Sequence, residues 1–151
     1  MATPARLQAF LDKLYTALSS GDLETWIGMH AEDVAFNVNG TTAVSGRTVG
    51  KRNVLENLLP LLFTRIRPDT AAIGINWRCM CADQQRATVI FEGRSQTLEG
   101  VDYNNRYLQI LEFNDEGLIC EAWEFFDTAL AEDVLFTPDQ QAPAGTGTFQ
   151  Y

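Results

Sequence analysis

One stretch, from Gly100 to Asp127, constrains the fold of this chain more than any other. It is dense in Tyr, Ile, Leu, Phe and Trp, which fit the pleated and half-buried surface of a β-strand. Near its middle the run Asn114-Asp115-Glu116-Gly117 is typical of a tight turn, in which Gly117 adopts a positive φ at no steric cost. The stretch therefore predicts two long antiparallel strands joined by a short turn.

The first part of the chain shows helical spacing instead. Thr3-Pro4 is typical of a helix start, and apolar residues recur every three or four positions between Leu7 and Leu18. We expect a shorter second helix over Leu23–Met29 and a third over Lys51–Arg65. Pro60 should kink or divide the third helix, because proline lacks a donor and crowds the preceding turn.

Further strands are predicted where the apolar period changes to two. Val34–Val38 favours a short strand, Asn39-Gly40 a hairpin turn, and Thr41–Ser45 the returning strand. Alternation returns over Thr70–Ala82 and again over Arg86–Ser95. With the two strands described above, the second half of the chain therefore holds four consecutive long strands.

Helices followed by a run of consecutive strands indicate an α+β fold. Tight turns between neighbours favour a curved antiparallel sheet, and three helices can cover only its concave face, where a cavity would lie. We expect one domain over residues 1–136, ending in a helical turn at Thr128–Val134. Residues 137–151 are rich in Pro, Gly, Thr and Gln and predict a flexible tail.

The charge of the chain limits its partners. Its 151 residues include 20 acidic and 11 basic side chains, and the net charge of −9 disfavours nucleic acid and anionic membranes. The sequence has no apolar run of about 18 residues and no basic-then-apolar N-terminus, so we expect neither a membrane span nor a signal peptide. Three cysteines do not suggest a disulfide framework, which favours the cytoplasm.

Motifs for metals and cofactors are weak. Cys79-Met80-Cys81 would place two thiols on one face of a strand, but the sequence offers no second ligand pair, so buried apolar thiols are the better interpretation. His30, the one histidine, falls at a helix-to-strand corner, where a structural role is favoured over a catalytic one. There is no phosphate loop, dinucleotide fingerprint or nucleophile elbow. We expect no metal ion and no cofactor.

Glu124 is the strongest candidate for chemistry. In the last strand it shares one face with Cys120, Ala122 and Phe126, a mostly apolar set. A carboxyl group desolvated among such neighbours has a raised pKa, which suits a general acid or base. The alternative is a solvated or hydrogen-bonded carboxylate at the surface of the sheet.

Glu92 is the second catalytic candidate. It would lie on a neighbouring part of the sheet, where two carboxyl groups close together hold one proton between them. The alternative is an ion pair on the sheet between Glu92 and Arg78, Arg94 or Arg106.

Other residues are candidates for binding a substrate. Tyr107 and Asn105 share one face of their strand and would position a substrate oxygen, although each could instead satisfy backbone groups. The predicted pocket wall consists of Trp26, Phe36, Phe126 and Tyr15. Ordinary core packing is the alternative for any one of these.

The opposite face of the last strand carries Trp123 and Phe125. Large apolar side chains exposed on the outer face of a sheet require a partner. We therefore expect a homodimer through this face.

At several short motifs the chain resembles the nuclear transport factor 2-like superfamily, and within it the SnoaL-like and ketosteroid-isomerase-like proteins, which include polyketide cyclases. The motifs are Leu18-Ser-Ser-Gly-Asp22, His30-Ala-Glu-Asp-Val34, Gly46-Arg47, Tyr103-Asn-Asn-Arg-Tyr107 and Glu124-Phe-Phe-Asp-Thr128. The resemblance implies a cone-shaped, cystatin-like roll with a pocket for a small, largely apolar molecule, and frequent homodimers. Family members also include isomerases, epoxide hydrolases and proteins without catalysis, so the fold does not choose among these activities.

The chain departs from the family at positions that carry chemistry. Val38 matches the position of the isomerase base, and Leu14 matches that of the isomerase phenol. Tyr15 is one residue out of register, which rotates a helical side chain by about 100°. Glu124 and Glu92 match the two acids of the epoxide hydrolases, but Ile90 stands where those enzymes have an arginine. Because the isomerase base and phenol are both missing, steroid-type isomerisation is not expected.

Taken together, these features predict cofactor-free acid–base chemistry on a small hydrophobic substrate in the cavity. The reaction would be a cyclisation, an isomerisation or a hydration. The alternative is a ligand-binding or dimerisation module of the same fold that performs no chemistry, so the sequence leaves open whether the protein is an enzyme.

Overall fold

A single curved sheet of six strands carries the structure, a computed structural model that describes residues 4–151. The strands are β1 (His30–Val38), β2 (Gly46–Val49), β3 (Ala72–Ala82), β4 (Arg86–Gln96), β5 (Asp102–Phe113) and β6 (Ile119–Phe126). The helices are α1 (Pro4–Ser20), α2 (Leu23–Gly28), α3 (Lys51–Asn53), α4 (Leu59–Phe63) and α5 (Thr128–Val134), with a π-helical segment at Val54–Leu58 and a 3-10 turn at Pro68–Thr70.

The strands lie in the order β2-β1-β6-β5-β4-β3, which confirms the α+β class. One pair differs from the predicted antiparallel sheet, because β1 runs parallel to β6, with Phe36 opposite Ala122 and Val38 opposite Glu124. Alternation of side chains is the same in parallel and antiparallel strands, so the sequence pattern did not reveal this direction.

The β5–β6 hairpin has the predicted form. Gly117 has a φ of +79°, and the Asn114 side chain accepts hydrogen bonds from the backbone N–H groups of Glu116 and Leu118. Across the hairpin Gln109 lies opposite Glu124, and Tyr107 lies opposite Phe126. The turn therefore sets which side chains meet on the concave face.

The predicted strand at Thr41–Ser45 is wrong, since these residues form a turn and β2 begins at Gly46. The Ser45 hydroxyl donates to the Asn39 carbonyl and accepts from the Thr42 N–H, at 2.9 Å each. Side-chain hydroxyls that bond to nearby backbone groups compete with the hydrogen bonds of a strand. These bonds hold the loop closed and shift the second strand along the chain.

The third helix is divided, as Pro60 predicts, but it ends earlier than expected. It consists of α3, the π-helical segment and α4, and stops at Phe63 instead of Arg65. The π-helical segment ends two residues before Pro60. Because Pro60 has no backbone N–H, the regular α-helical pattern of hydrogen bonds cannot continue through this part of the helix. Of the predicted start of the first helix, Thr3 lies outside the described residues.

Helix α1 packs closely against β3 at the edge of the concave face. Tyr15 is almost fully buried, and its ring stacks on Trp77 with centroids 5.3 Å apart. Gly74 has a φ of +89°, and a Cβ added there would lie 3.1 Å from Leu18 and 3.3 Å from the ring of Tyr15. A glycine in β3 thus lets the helix approach the sheet.

Asp127 joins the end of β6 to α5. Its carboxylate accepts a hydrogen bond from the Leu130 N–H at 3.0 Å, and its own N–H and C=O both bond to the Asn105 side chain. An aspartate in this position caps the helix N-terminus. Asp127 therefore anchors the end of β6 and the start of α5 together.

The end of the tail predicted over residues 137–151 lies against the outer, convex side of the sheet. Gly147, Phe149 and Gln150 contact β2, β1 and β6 there. The flexibility of this tail and the domain boundary at residue 136 stay predictions. Across residues 4–151, no helix combines the length and the apolar character needed to span a membrane.

Asp127→Ala should lower the free energy of unfolding by about 1 kcal/mol, because it removes the cap of α5. Glu132→Ala, on an exposed position of the same helix, is the matched control and should have a much smaller effect. Urea denaturation of both variants measures the difference. Equal losses for the two variants would show that the cap does not hold the helix.

Candidate active site in the concave cavity

A cavity of about 80 Å³ lies between the concave face of the sheet and the helical wall. Its aromatic lining consists of Trp26, Phe36, Phe63, Phe91, Tyr103, Tyr107 and Phe126. Leucines of the π-helical segment and α4 (Leu58, Leu59 and Leu62) form the helical side of the cavity, opposite the sheet. Apart from the two tyrosine hydroxyls and the indole N–H of Trp26, the polar side-chain groups of the lining are those of Gln109 and Glu124.

Glu124 places a carboxyl group in this apolar wall. Burial raises its pKa from 4.5 to about 7, and the hydrogen bond from Gln109 opposes the rise without cancelling it. No lysine or arginine among residues 4–151 forms an ion pair with it. The group therefore populates both its acid and its base form near neutral pH, which is the condition for general acid–base work.

A hydrogen-bonded chain fixes the orientation of Glu124. The Gln109 amide N–H donates to Glu124 Oε2 at 2.5 Å, and the Tyr15 hydroxyl donates to Gln109 Oε1 at 3.0 Å. Because the phenol donates to the amide oxygen, the amide NH₂ group must face the carboxylate. One carboxyl oxygen is thus held by Gln109, and the other is available to a ligand.

Tyr103 and Tyr107 form a second polar group on the cavity wall. The Tyr107 hydroxyl donates to the Tyr103 oxygen at 3.4 Å, and the Asn105 amide donates to the same oxygen at 3.1 Å. Burial raises the pKa of both phenols, so both stay protonated at neutral pH. Since the Tyr103 oxygen already accepts two hydrogen bonds, its own proton is available for donation into the cavity.

The predicted binding residues fall into three groups. Trp26, Phe36, Tyr107 and Phe126 line the cavity. Tyr15 does not line the cavity, but its hydroxyl donates a hydrogen bond to Gln109, which in turn bonds to Glu124. Tyr15 therefore belongs to the hydrogen-bonded chain of the site although it is one residue away from the position of the family's phenol. Asn105 is buried outside the lining, where it bonds to Asp127 and acts on the cavity only through Tyr103.

The placement of Glu92 corrects the predicted pair of carboxyl groups. Its neighbour Phe91 lines the cavity, whereas Glu92 lies on the outer face with Asn76, Arg94 and Arg106. Bonding to Asn76 above all, and then to Arg94, keeps the pKa of Glu92 below its usual value. Alternation along β4 excludes Glu92 from the face that Phe91 occupies, so it does not meet Glu124.

His30 is a structural residue. It is 1% exposed, its Nδ1 lies 2.8 Å from the Trp26 carbonyl, and its ring contacts those of Trp26 and Phe36. Burial lowers its pKa from 6.5 to about 4, so the ring is neutral at neutral pH. It supports two cavity-wall residues from behind.

The predicted pair of buried thiols is only partly correct. Cys79 is half-buried, whereas Cys81 is exposed. The register of β3 against β4 shifts between these two residues, so the strand does not keep them on one buried face.

Two residues of the site, Gln109 and Tyr103, are not among the candidates that the sequence predicts. Both share the concave face of β5 with Asn105, Tyr107 and Leu111, as their positions two apart require. The available signal was a polar side chain, Gln109, two positions after Tyr107 on the face that Asn105 and Tyr107 already share. Its pairing with Glu124 required the register of the hairpin.

Comparisons with known proteins agree with this architecture. A model of the SnoaL-like domain matches residues 11–122 of the chain. An NTF2-like protein from Burkholderia pseudomallei is 16% identical, with a TM-score of 0.73 over 86% of this chain and 97% of its own. A protein from Pseudomonas putida, provisionally named a polyketide cyclase, is 18% identical, with a TM-score of 0.68 over 84% of this chain and 96% of its own.

A third solved structure contains a small molecule. TerC, co-crystallised with polyporic acid, is 17% identical and has a TM-score of 0.66 over 84% of this chain and 95% of its own. At these identities the likeness shows the fold. Among curated proteins none matches this chain.

The raised pKa of Glu124 should make the stability depend on pH. Between pH 4.5 and about 7 the folded state keeps a proton that the unfolded state has released, so the free energy of unfolding falls as the pH rises through this window. The loss should reach up to about 3 kcal/mol. Glu124→Gln should remove it, so that the variant gains stability relative to wild type at higher pH.

Denaturation curves across this pH range measure the difference. Glu116→Gln, at an exposed position of the hairpin turn, is the matched control and should follow the wild-type curve. If wild type and Glu124→Gln show the same pH dependence, the carboxyl group is solvated and the cavity is not apolar around it.

His30 should act in the opposite direction. As the pH falls from 6.5 to about 4, His30 binds a proton in the unfolded state but stays neutral in the folded state. The free energy of unfolding therefore decreases on acidification. His30→Leu should flatten this part of the curve by up to about 3 kcal/mol. Because the chain has one histidine, its ring signals in an NMR titration give the pKa directly, and a value near 6.5 would contradict the buried placement.

Proposed function

This chain belongs to the SnoaL-like family, and from that premise we propose that its cavity binds a small, largely apolar molecule on which Glu124 performs acid–base chemistry without a cofactor. The observation that carries the proposal is the carboxyl group in the apolar wall, with a pKa of about 7 and an amide as its hydrogen-bond partner. The reaction class is proton transfer at carbon, as in isomerisation or intramolecular cyclisation, or the activation of water.

Glu124 acts first as a base. The carboxyl oxygen that Gln109 does not hold takes a proton from a carbon next to a carbonyl group of the bound ligand, and Glu124 then returns a proton to the product as an acid. Gln109 cannot take up the proton, so it keeps the carboxyl group in one orientation throughout. Tyr15 supports this orientation through the amide oxygen of Gln109.

Tyr103 is proposed as the group that stabilises negative charge on the substrate oxygen. Its hydroxyl accepts hydrogen bonds from Asn105 and Tyr107, which leaves its proton for an enolate or alkoxide in the cavity. A donor in a water-poor site stabilises such an oxyanion more than it would in water. This arrangement assigns a donor role to a residue on β5, opposite the strand that supplies the base.

The size of the cavity constrains the ligand. A volume of about 80 Å³ holds only a very small molecule, because ligand pockets commonly measure about 300–1,000 Å³. Leu59, Leu62 and Phe63 of α4 line the cavity and are only half-buried. We propose that α4 moves outward when a larger ligand enters.

The comparisons support a small-molecule role but do not specify one. The similar protein from Pseudomonas putida bears the name of a polyketide cyclase, and TerC was co-crystallised with polyporic acid. An apolar lining that includes seven aromatic side chains and a few polar groups suits a flat cyclic compound with one or two oxygen atoms.

The test uses small cyclic ketones in D₂O, with deuterium incorporation next to the carbonyl followed by NMR. Wild type should accelerate the exchange, and Glu124→Gln should lower the rate by about 10²-fold or more while still binding the ketone. Glu92→Gln, which changes a carboxylate on the outer face, is the matched control and should exchange like wild type.

Two outcomes would overturn parts of the proposal. Binding of the ketones without any exchange by wild type would favour the alternative, a ligand-binding module of the same fold. Exchange that survives in Glu124→Gln would show that another group is the base.

Tyr103→Phe, with the base intact, should lower the rate without changing its pH profile, because the phenol is protonated throughout the working range.

A further inference from the structure

The cavity is electrically one-sided. Among the described residues that line it, Glu124 alone carries charge near neutral pH, and the lining includes no lysine, arginine or histidine. None of the ion pairs formed between residues 4 and 151 includes Glu124. Its hydrogen-bond partner Gln109 is a neutral amide, which orients the carboxylate without balancing its charge. The ionised form of Glu124 therefore lacks a counter-charge within the described chain.

Aromatic rings lie on both sides of this carboxyl group. Phe126 follows Glu124 by two positions on the same face of β6, and Tyr107 of β5 lies opposite Phe126. Tyr107 is thus a diagonal neighbour of Glu124, and such neighbours are about 7–8 Å apart, within reach of an aromatic side chain. On the other side, Phe36 of β1 lies opposite Ala122, the residue two positions before Glu124. A ligand group bound to Glu124 would therefore lie close to aromatic rings.

These two features together favour a positively charged ligand. The faces of aromatic rings attract ammonium groups, most strongly where water is excluded. An ionised carboxylate without a counter-charge in an apolar wall costs free energy, which a bound cation offsets. The net charge of −9 also raises the concentration of small cations near the protein.

The volume of the cavity limits the size of such a cation. Its volume of about 80 Å³ equals that of roughly two or three molecules of liquid water, each of which takes up about 30 Å³. Only a few small alkyl groups fit around a nitrogen atom in this space. Methylated amines have this size and carry a positive charge at neutral pH.

We propose that the cavity binds a small alkylammonium cation, whose N–H group donates to the Glu124 oxygen that Gln109 does not hold and whose alkyl groups pack on the aromatic rings. Cation binding uses the same cavity as the proposed reaction but does not require that reaction to occur. A bound cation keeps Glu124 ionised and occupies the space of the neutral ligand. The cation is therefore a competitive inhibitor of the proposed reaction.

Cation binding should strengthen as the pH rises through about 7, because Glu124 loses its proton there. The phenols and the thiol nearby stay neutral in this range, since burial raises the pKa of each: Tyr15 on α1, Cys79 on β3, and Tyr103 and Tyr107 on β5. His30 of β1 is neutral as well, because burial lowers its pKa to about 4. The π-helical segment, α4 and Leu135 contribute only apolar side chains to the lining. Glu124 is thus the group whose titration controls binding.

The experiment compares trimethylammonium with tert-butanol, which has a similar branched shape but no charge. Titration calorimetry measures both affinities at a pH above and at a pH below the pKa of Glu124. Above it, wild type should bind trimethylammonium about tenfold more tightly than tert-butanol, or better. Below it, this preference should shrink, because the protonated carboxyl group no longer attracts the cation.

Three variants locate the cation. Glu124→Gln should abolish the preference for trimethylammonium, and Phe126→Leu, which removes a ring but keeps the wall apolar, should reduce it about threefold. The ratio of the two affinities is compared, so that a change in cavity volume affects both ligands alike. Glu92→Gln, which changes a carboxylate on the outer face beside Arg94, is the matched control and should keep the wild-type ratio. Circular dichroism verifies that all three variants are folded.

Deuterium exchange of the cyclic ketones separates this proposal from the proposed reaction. Trimethylammonium should raise the apparent KM for the ketone without lowering kcat, after the rate without protein is subtracted. Exchange that a saturating concentration of the cation does not slow would overturn cation binding in the cavity and leave the proposed reaction intact. A protein that prefers the cation but exchanges no ketone would support the cation site and contradict the proposed reaction.

Three binding results would also overturn the proposal. One is equal affinity of wild type for trimethylammonium and tert-butanol above the pKa of Glu124. Another is a preference for the cation that survives in Glu124→Gln, which would place the cation elsewhere on the protein. The third is an affinity ratio that Phe126→Leu leaves unchanged, which would show that the cation does not contact the rings.

Discussion

The site depends on one interaction, the hydrogen bond from the Gln109 amide to the carboxyl group of Glu124 in an apolar wall. A cationic partner such as arginine would hold the pKa of that carboxyl group low and keep it ionised. A neutral amide satisfies one oxygen and leaves burial as the dominant influence, so the pKa rises to about 7. The register of the β5–β6 hairpin places the two residues opposite each other, and the turn at Gly117 sets that register.

Aromatic side chains on neighbouring strands form the floor under this pair. Phe91, Tyr107 and Phe126 lie on β4, β5 and β6 as cross-strand neighbours, with ring centroids 4.9 and 5.5 Å apart. Tyr15 of α1 continues the row by packing on Phe91 at 5.3 Å. Such pairs add to the stability of a sheet beyond the area that they bury. The same residues thus hold the sheet together and keep water away from the carboxyl group.

The sequence predicted local structure well and placement across strands less well. The period of two in β6 separated Glu124 and Phe126 from Trp123 and Phe125, and the structure places the first pair at the cavity and the second on the outer face. For β4 the same period separated Glu92 and Arg94 from Val89 and Phe91, and the charged pair was the local sign that the face of Glu92 turned outward. Gln109 was missed because its partner lies 15 residues away, across a turn. Thr41–Ser45 formed a turn because its hydroxyl groups bond locally.

The parallel pairing of β1 with β6 has a consequence for how the protein is made. Asn37 and Ala122, which meet across this pair, are separated by 85 positions along the chain. Contacts of such long range form late in folding, because the intervening chain must first be brought together. During synthesis β6 reaches its partner only after the whole stretch from β1 to β6 has left the ribosome. The wall that holds Glu124 therefore assembles only after all six strands have been made, and one edge of β1 stays unpaired until then.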